Sequence, residues 1–301
     1  MKKLLRYFVI ALAVVLAFLL WKKAPQSSIS MTIALLIASI SASILYKTPD
    51  AELLSAVKTR ETDYERVKDL ISGGASLKSR DKDGRTPLIL SAFRTSSIQT
   101  LSMLIDSGSE IEARDNDGNT PLITAAMFNP EAPVLNVLIK AGADINAKND
   151  DGNTPLMMAA MFNSNTEIIR MLIDGGADVR AKNNDGLTAL HRASDSECAS
   201  ILIAAGADVN ASDVMGHTPL MSAAFEDNPE LLAVLLNSGA EVNAHDKEGM
   251  TALMYAAEKN LSENVRTLLN YGADSELRNI DGKSALDFAH NENVKSILSA
   301  K

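Results

Sequence analysis

The chain has 301 residues, 46% of them hydrophobic and 22% charged, with a single cysteine and a formal net charge of −9. That much apolar material excludes global disorder and suffices for an extended core, and one Cys excludes an internal disulfide. The charge is uneven: residues 1–50 hold six Lys/Arg and one acid, leaving 23 basic and 37 acidic residues beyond them, an acidic surplus that argues against nucleic-acid phosphates as a ligand.

Two apolar runs open the chain. Residues 7–21 are uncharged, and the run extends back to Leu4 if Arg6 snorkels; residues 29–46 are uncharged as well. A helix needs about 17 to 25 such residues to cross the hydrocarbon core, so helices over about 4–21 and 29–46 are expected to form a membrane anchor spanning 1–49. Lys22 to Ser28 reads as the turn between them. A secretory signal peptide is the rival reading, given the basic leader Lys2, Lys3 and Arg6. Trp21-Lys22-Lys23 is not a small-residue cleavage site, which favours an uncleaved anchor. In a two-helix hairpin, Lys2, Lys3, Arg6, Lys47, Lys58, Arg60 and Arg66 share one side against Lys22 and Lys23 on the other, so that side is expected to be cytoplasmic. If 29–46, which contains five Ser/Thr, fails to insert, the first helix carries the rest of the chain across, to a periplasm or outside the cell.

From residue 50 onward one phrase recurs. Asp-Gly-Asn-Thr-Pro-Leu stands at 117–122 and again at 151–156, with looser copies around Gly84, Gly186, Gly216, Gly249 and Gly282. Successive glycines are separated by 34, 34, 34, 30, 33 and 33 residues. A period of this size is the mark of a solenoid. Asp-Gly is turn chemistry, the Thr is a helix N-cap, and Pro is preset for the first helical turn. After Thr154 a small-residue helix begins, 163–166 breaks it, and a second helix places Ile168, Ile169, Leu172 and Ile173 on one apolar face. Gly176 is the expected left-handed stop, followed by an extended arm over 177–183 that leads to the next turn.

These residues carry a resemblance. The chain resembles ankyrin repeats in its D-G-x-T-P-L starts and in arms such as Gly142-Ala143-Asp144-Ile145-Asn146-Ala147 and Gly206-Ala207-Asp208-Val209-Asn210-Ala211. The resemblance covers about residues 50–301. It implies an all-α solenoid of helix-turn-helix pairs joined by β-hairpin-like arms, here preceded by one or two transmembrane helices. An N-terminal cap is expected over 50–80, with helices at 51–59 and 63–72 that lack the Thr-Pro-Leu start. Repeats then begin near 81, 115, 149, 183, 213 and 246, and a C-terminal cap occupies 279–301 with a second helix running to Lys301.

Two departures stand out. The repeat from Asp185 is short, and Ala193 to Glu197 suggests that its inter-helix loop has been cut back. The family's T-P-L-H histidine survives only as His191, replaced elsewhere by Ile89, Ile123, Met157, Met221, Met254 and Asp287, which puts in doubt the hydrogen bonds that brace successive hairpins in the family.

Site chemistry is sparse. Asp115-Asn116-Asp117-Gly118 looks like a calcium loop, but Ala113 and Thr124 stand where acids are required. His191, His217, His245 and His290 fall at unrelated repeat positions, and Cys198 reads as a buried thiol. No phosphate loop, nucleophile elbow or paired-carboxylate site is visible. No metal, cofactor or small-molecule substrate is expected, and no catalysis. What remains is a surface. In ankyrin proteins partners lie along hairpin tips and first-helix ends, which the resemblance places here at Phe93, Arg94, Met127, Phe128, Met161, Phe162, Phe225 and Glu226. These side chains either form an exposed ladder or turn into the inter-repeat core, and the usual burial of Phe and Met favours the core. The expected function is a membrane-tethered, non-catalytic scaffold or adaptor for a protein partner; the alternatives are a regulator of a membrane-bound enzyme or transporter, or an exported effector.

Overall fold

A computed structural model describes residues 48–60, 62–94 and 97–300. The segments expected to span a membrane, 4–21 and 29–46, lie outside the described residues, among which no helix is long and apolar enough to cross a membrane.

The chain runs as successive pairs of short helices. The first pair is α1 (Pro49–Ala56) and α2 (Tyr64–Ser72); then come α3 (Pro87–Arg94) and α4 (Ile98–Asp106), α5 (Pro121–Phe128) and α6 (Ala132–Lys140), and α7 (Pro155–Phe162) and α8 (Thr166–Asp174). A 3-10 turn, η1 (Ala189–Arg192), is paired with α9 (Ser196–Ala204). The series ends with α10 (Pro219–Ala224) and α11 (Pro229–Asn237), α12 (Ala252–Glu258) and α13 (Ser262–Asn270), and α14 (Ala285–Phe288) and α15 (Glu292–Ser299). First helices pack on first helices and second on second, so each pair touches only its neighbours, as a solenoid requires.

The division of labour follows from the side chains. In the inner repeats the first helices are mostly apolar and enclosed: every residue of α7 from Pro155 to Ala160 is buried, whereas the terminal α1 and α14 bury only Leu53 and Ala285. The second helices are amphipathic. In α8, Ile168, Ile169 and Leu172 are buried while Glu167 and Arg170 face solvent; Ile173 is only partly covered.

Thr120, Thr154, Thr218 and Thr251 each accept a backbone N–H three residues on, as N-caps do. The N-terminal cap lacks the Thr-Pro-Leu start, as expected, since Asp50 follows Thr48-Pro49, but its first helix uses the same capping device. Thr48 accepts from the Ala51 N–H at 3.2 Å and Pro49 opens the helix, which therefore starts earlier and ends sooner than 51–59. The final helix stops at Ser299.

Second helices stop as expected. Gly176 takes φ +95°, and Ala177 N–H reaches back to the Leu172 carbonyl at 2.9 Å, closing the last turn. At the hairpin tips glycine is required twice over. Gly118 has φ +76°, and a Cβ there would sit 2.7 Å from the Asp150 nitrogen of the next hairpin. That close approach carries a rung: Asp150 N–H donates to the Asp117 carbonyl at 3.2 Å. Equivalent rungs join Asn116 to Asp83, Asn184 to Asp151, Val214 to Asp185, Lys247 to Met215 and Ile280 to Glu248.

The arms are not the extended segments expected. Among the described residues there is no strand, only an isolated bridge between His245 and Thr251. Asp144 explains this: Ala147 N–H bonds its carbonyl at 3.1 Å and Asn146 N–H its side chain at 2.9 Å, so a turn interrupts the arm before a ladder can form.

The short repeat is shortened elsewhere than expected. The loop after η1 (193–195) is as long as the loop after α7 (163–165); the first helix is what shrank, from 8 residues to 4. Removing one whole turn of that helix leaves the second helix and the hairpin in register.

Candidate partner-binding face

The first-helix ends of the early repeats project out of the stack. Phe128 is 46% exposed, Phe162 48%, Phe225 42% and Met161 38%, while Phe93 and Met127 are half-buried. The core reading for these side chains is therefore wrong at Phe128, Phe162, Phe225 and Met161. In α5 and α7 the reason is the helix length: each eight-residue helix buries its first six residues between neighbours and carries the last two beyond the packed row, while Phe225 stands just past the six-residue α10 as its C-cap.

Some of these side chains meet. Phe93 and Phe128 rings lie 4.6 Å apart at 53°, and the Arg94 guanidinium covers Phe93 at 4.9 Å. Further along, Arg192 donates to the Met161 sulfur at 3.4 Å, and Lys259 sits 3.7 Å over the Phe225 ring. Glu226 is exposed beside Phe225. Between Met161 and Phe225 the missing helical turn leaves a cleft of about 810 Å³.

A polar spine runs behind this face. At two successive junctions the residue after the tip glycine meets the residue two before the next tip motif: Asn149 Nδ2 donates to Asn119 Oδ1 at 3.0 Å and Asn183 Nδ2 to Asn153 Oδ1 at 2.9 Å. At the next full interface the same two positions hold His217 and Asp246, 3.2 Å apart. His217 Nδ1 also lies 3.1 Å from Asp213 Oδ2, and Tyr255 O–H donates to Asp246 Oδ2 at 2.5 Å. Burial pushes the Asp213 carboxyl up, but the N–H groups of His217 and Met215, with the His217 side chain, hold it below the usual value. Burial and the bond to Asp246 push the Tyr255 hydroxyl above its ordinary value.

His191 settles the doubt about bracing. Its Nδ1 accepts from the Thr188 N–H at 3.1 Å, so the proton resides on Nε2, which donates to the His217 carbonyl at 3.1 Å. Burial lowers its pKa. Asp287 takes over the local half of that role in the last repeat, accepting from Ser284 N–H and Oγ–H at 2.8 and 2.9 Å. Elsewhere the hairpin rungs and the Asn pairs brace the stack, and the apolar replacements Ile89, Ile123, Met157, Met221 and Met254 are buried.

Asp115, the first acid of the apparent calcium loop, accepts from Asp117 and Asn119 N–H groups at 3.0 and 2.8 Å. Its carboxylate shapes the tip. Among the described residues no group of His, Cys, Asp and Glu is placed to hold a metal. Cys198 is buried, and its thiol is pushed up to about 12, so it is a packing residue without nucleophilic character at neutral pH.

The His217–Asp213–Asp246–Tyr255 cluster was missed at the level of sequence. The signal was there in register: His217 occupies the position of Asn119 and Asn153, and Asp246 that of Asn149 and Asn183.

A family model described as Ankyrin repeats (3 copies) matches residues 53–149, 125–213, 197–279 and 220–300, together nearly all of the chain after the first apolar segments. The chain belongs to the ankyrin repeat family. No curated protein matches it. Ankyrin repeats are protein–protein interaction modules and generally non-catalytic, and no enzyme family is matched.

Proposed function

We propose that the chain is a scaffold or adaptor that holds a protein partner against the face carrying Phe93, Phe128, Met161, Phe162 and Phe225, and that residues 4–46 tether it to a membrane with the ankyrin domain in the cytoplasm. The observation that supports the binding face is the row of half-exposed Phe and Met side chains at the ends of first helices. Exposed large apolar side chains in line across neighbouring repeats mark interaction sites, and aromatic residues dominate binding energy at such sites. Arg94 and Glu226 flank the row and give it a polar rim.

The tether rests on the two apolar runs and on the seven-to-two distribution of basic residues around them. A regulator of a membrane-bound enzyme or transporter would use the same face and the same tether, and differs only in the identity of what is held.

The double variant Phe128→Ala/Phe162→Ala tests the face. Cross-linking in cells should capture a partner with the wild-type chain and lose it with the variant at equal abundance; retention of the same partner would move the binding site elsewhere. A reporter fused after Lys301 tests the topology, with activity confined to the cytoplasm expected. Activity only outside would make the protein an exported or periplasmic binder.

A further inference from the structure

The cleft at the short repeat is chemically unlike the rest of the face. It exists because η1 has lost the turn that would have carried an exposed pair equivalent to Met161 and Phe162. Its floor is apolar, with Leu190 and Met221 buried beneath it, and Met161 and Phe225 stand on opposite sides. A volume of about 810 Å³ lies within the range of built ligand clefts, roughly 300 to 1,000 Å³. That is room for a large side chain together with its flanking backbone.

The charge around it is mostly negative. Glu226 and Asp227 line the wall beside Phe225, both exposed, and among the described residues neither carboxylate has an ion-pair partner. Asp213 and Asp246 lie just behind His217 and Tyr255 on the same side. The facing cations are Arg192, which leans on Met161, and Lys259, which lies over Phe225; the His217 imidazole sits between its two aspartates. Four carboxylates thus outnumber the two fixed cations, in a protein whose net charge is −9. An acidic, low-lying cleft with an apolar floor repels nucleic acid and anionic ligands and draws cations.

We infer that this cleft is the specificity pocket of the binding face, and that it takes a segment of a protein partner in which a large apolar or aromatic residue is flanked by Lys or Arg. The apolar side chain enters between Met161 and Phe225, and the flanking cation pairs with Glu226 and Asp227. This rests on the protein-binding reading above and adds to it the chemistry of the recognised segment. The exposed Phe128 and Phe162 then supply area along the partner, while the cleft reads its sequence.

Selection from a random displayed-peptide library on the full chain tests this. Peptides retained by the wild type should converge on Leu, Met or an aromatic residue beside Lys or Arg. They should be lost on Ser222→Trp, which places a ring in the cleft. They should weaken roughly tenfold on Glu226→Gln/Asp227→Asn and weaken further as salt is raised. The charge variant alters only exposed carboxylates, so it decides the matter if Ser222→Trp fails to fold. An acidic or uncharged consensus, or binding unchanged in both variants, overturns the inference. If the selected peptides ignore the cleft variants but are lost on Phe128→Ala/Phe162→Ala, the face stands and the cleft assignment fails. If they depend on neither, both readings fail.

Discussion

The repeats that begin at Asp117 and Asp151 are near duplicates, and the one that begins at Asp185 is their truncated counterpart. In the duplicates an eight-residue first helix ends in a Met-Phe pair whose Phe is exposed, followed by a buried Asn129 or Asn163. Asn163 Nδ2 donates to the carbonyls of Ala126 and Asn129 at 3.0 and 2.9 Å, and its Oδ1 accepts from Asn165 N–H at 3.0 Å. In the short repeat Ser194 stands at that point, and its backbone N–H alone reaches the Ala160 carbonyl at 3.1 Å. Leu187 replaces the Asn of the polar spine, and His191 supplies a brace to the following hairpin instead. Yet the backbone rung from Val214 to Asp185 is intact at 2.8 Å. Hairpin and second helix therefore set the register of the stack, and the first helix can lose a turn without breaking it.

Replacing the buried amide gives the largest expected contrast. Asn163→Ala leaves two carbonyls and one N–H without their partner in an enclosed site, at a cost of about 3 kcal/mol. Ser194→Ala keeps the backbone bond to Ala160 and removes an exposed hydroxyl with its 3.3 Å bond to Asp195 Oδ2, a solvent-facing contact, so its cost should stay within about 0.5 kcal/mol. Denaturant melts of both variants check the pair, and equal losses would mean that the two junctions are held alike.

His191 should come next, at about 2 kcal/mol for His191→Gln, and with a pH signature. Its pKa in the folded state is lowered from 6.5 by burial, so the unfolded chain binds the proton first. Stability is full above about pH 6.5 and falls as the pH drops from there toward the lowered folded value, by at most about 1.4 kcal/mol per pH unit. The lowered carboxylates Asp213 and Asp287 lose their contribution only at more acid pH, as they are protonated. Melting wild type and His191→Gln between pH 8 and 5 should show a steeper decline for the wild type; parallel curves would mean that His191 titrates alike in both states.

A smaller difference belongs to local opening. With one turn missing and no spine pair at Leu187, the amides of α9 should exchange roughly tenfold faster than those of α6 and α8. Uniform protection along these helices would show that the His191 brace fully offsets the lost turn.

The repeat, its period and its turn, cap and stop residues were legible because each depends on chemistry within a few residues: Gly118 and Gly176 must be glycine for their φ values, and Thr154 caps its own helix. What was missed depends on neighbours about one repeat away. Nothing local says that His217 will meet Asp246, or that Asn163 will reach Ala126. Thr48-Pro49 is legible in principle as a cap and first turn, yet the start expected at 51 lies two residues beyond the true one at Pro49. The exposure of the Phe ladder also turned on packing: an apolar helix end reads the same whether the next repeat covers it or stops short. Loop and helix were confused in the short repeat because the four missing residues could be subtracted from either.

The smallest expected change is in the ladder itself. A fully buried Phe costs about 3 to 5 kcal/mol when cut to Ala, but Phe128 and Phe162 keep nearly half their surface in water. Each truncation should therefore cost only about 1 kcal/mol, in line with the apolar area each covers. The two are not equivalent. Phe128 packs its ring on Phe93 at 4.6 Å, a contact worth about 0.5 to 1.5 kcal/mol beyond burial, so Phe128→Ala should melt lower than Phe162→Ala despite their near-identical sequence settings. The Phe93→Leu background isolates that contact: there the two truncations should cost the same. If Phe162→Ala proves the more damaging in wild type, the ring pair contributes nothing to the stack, and Phe93 is better placed with Arg94 as part of the partner's footprint than as support for Phe128.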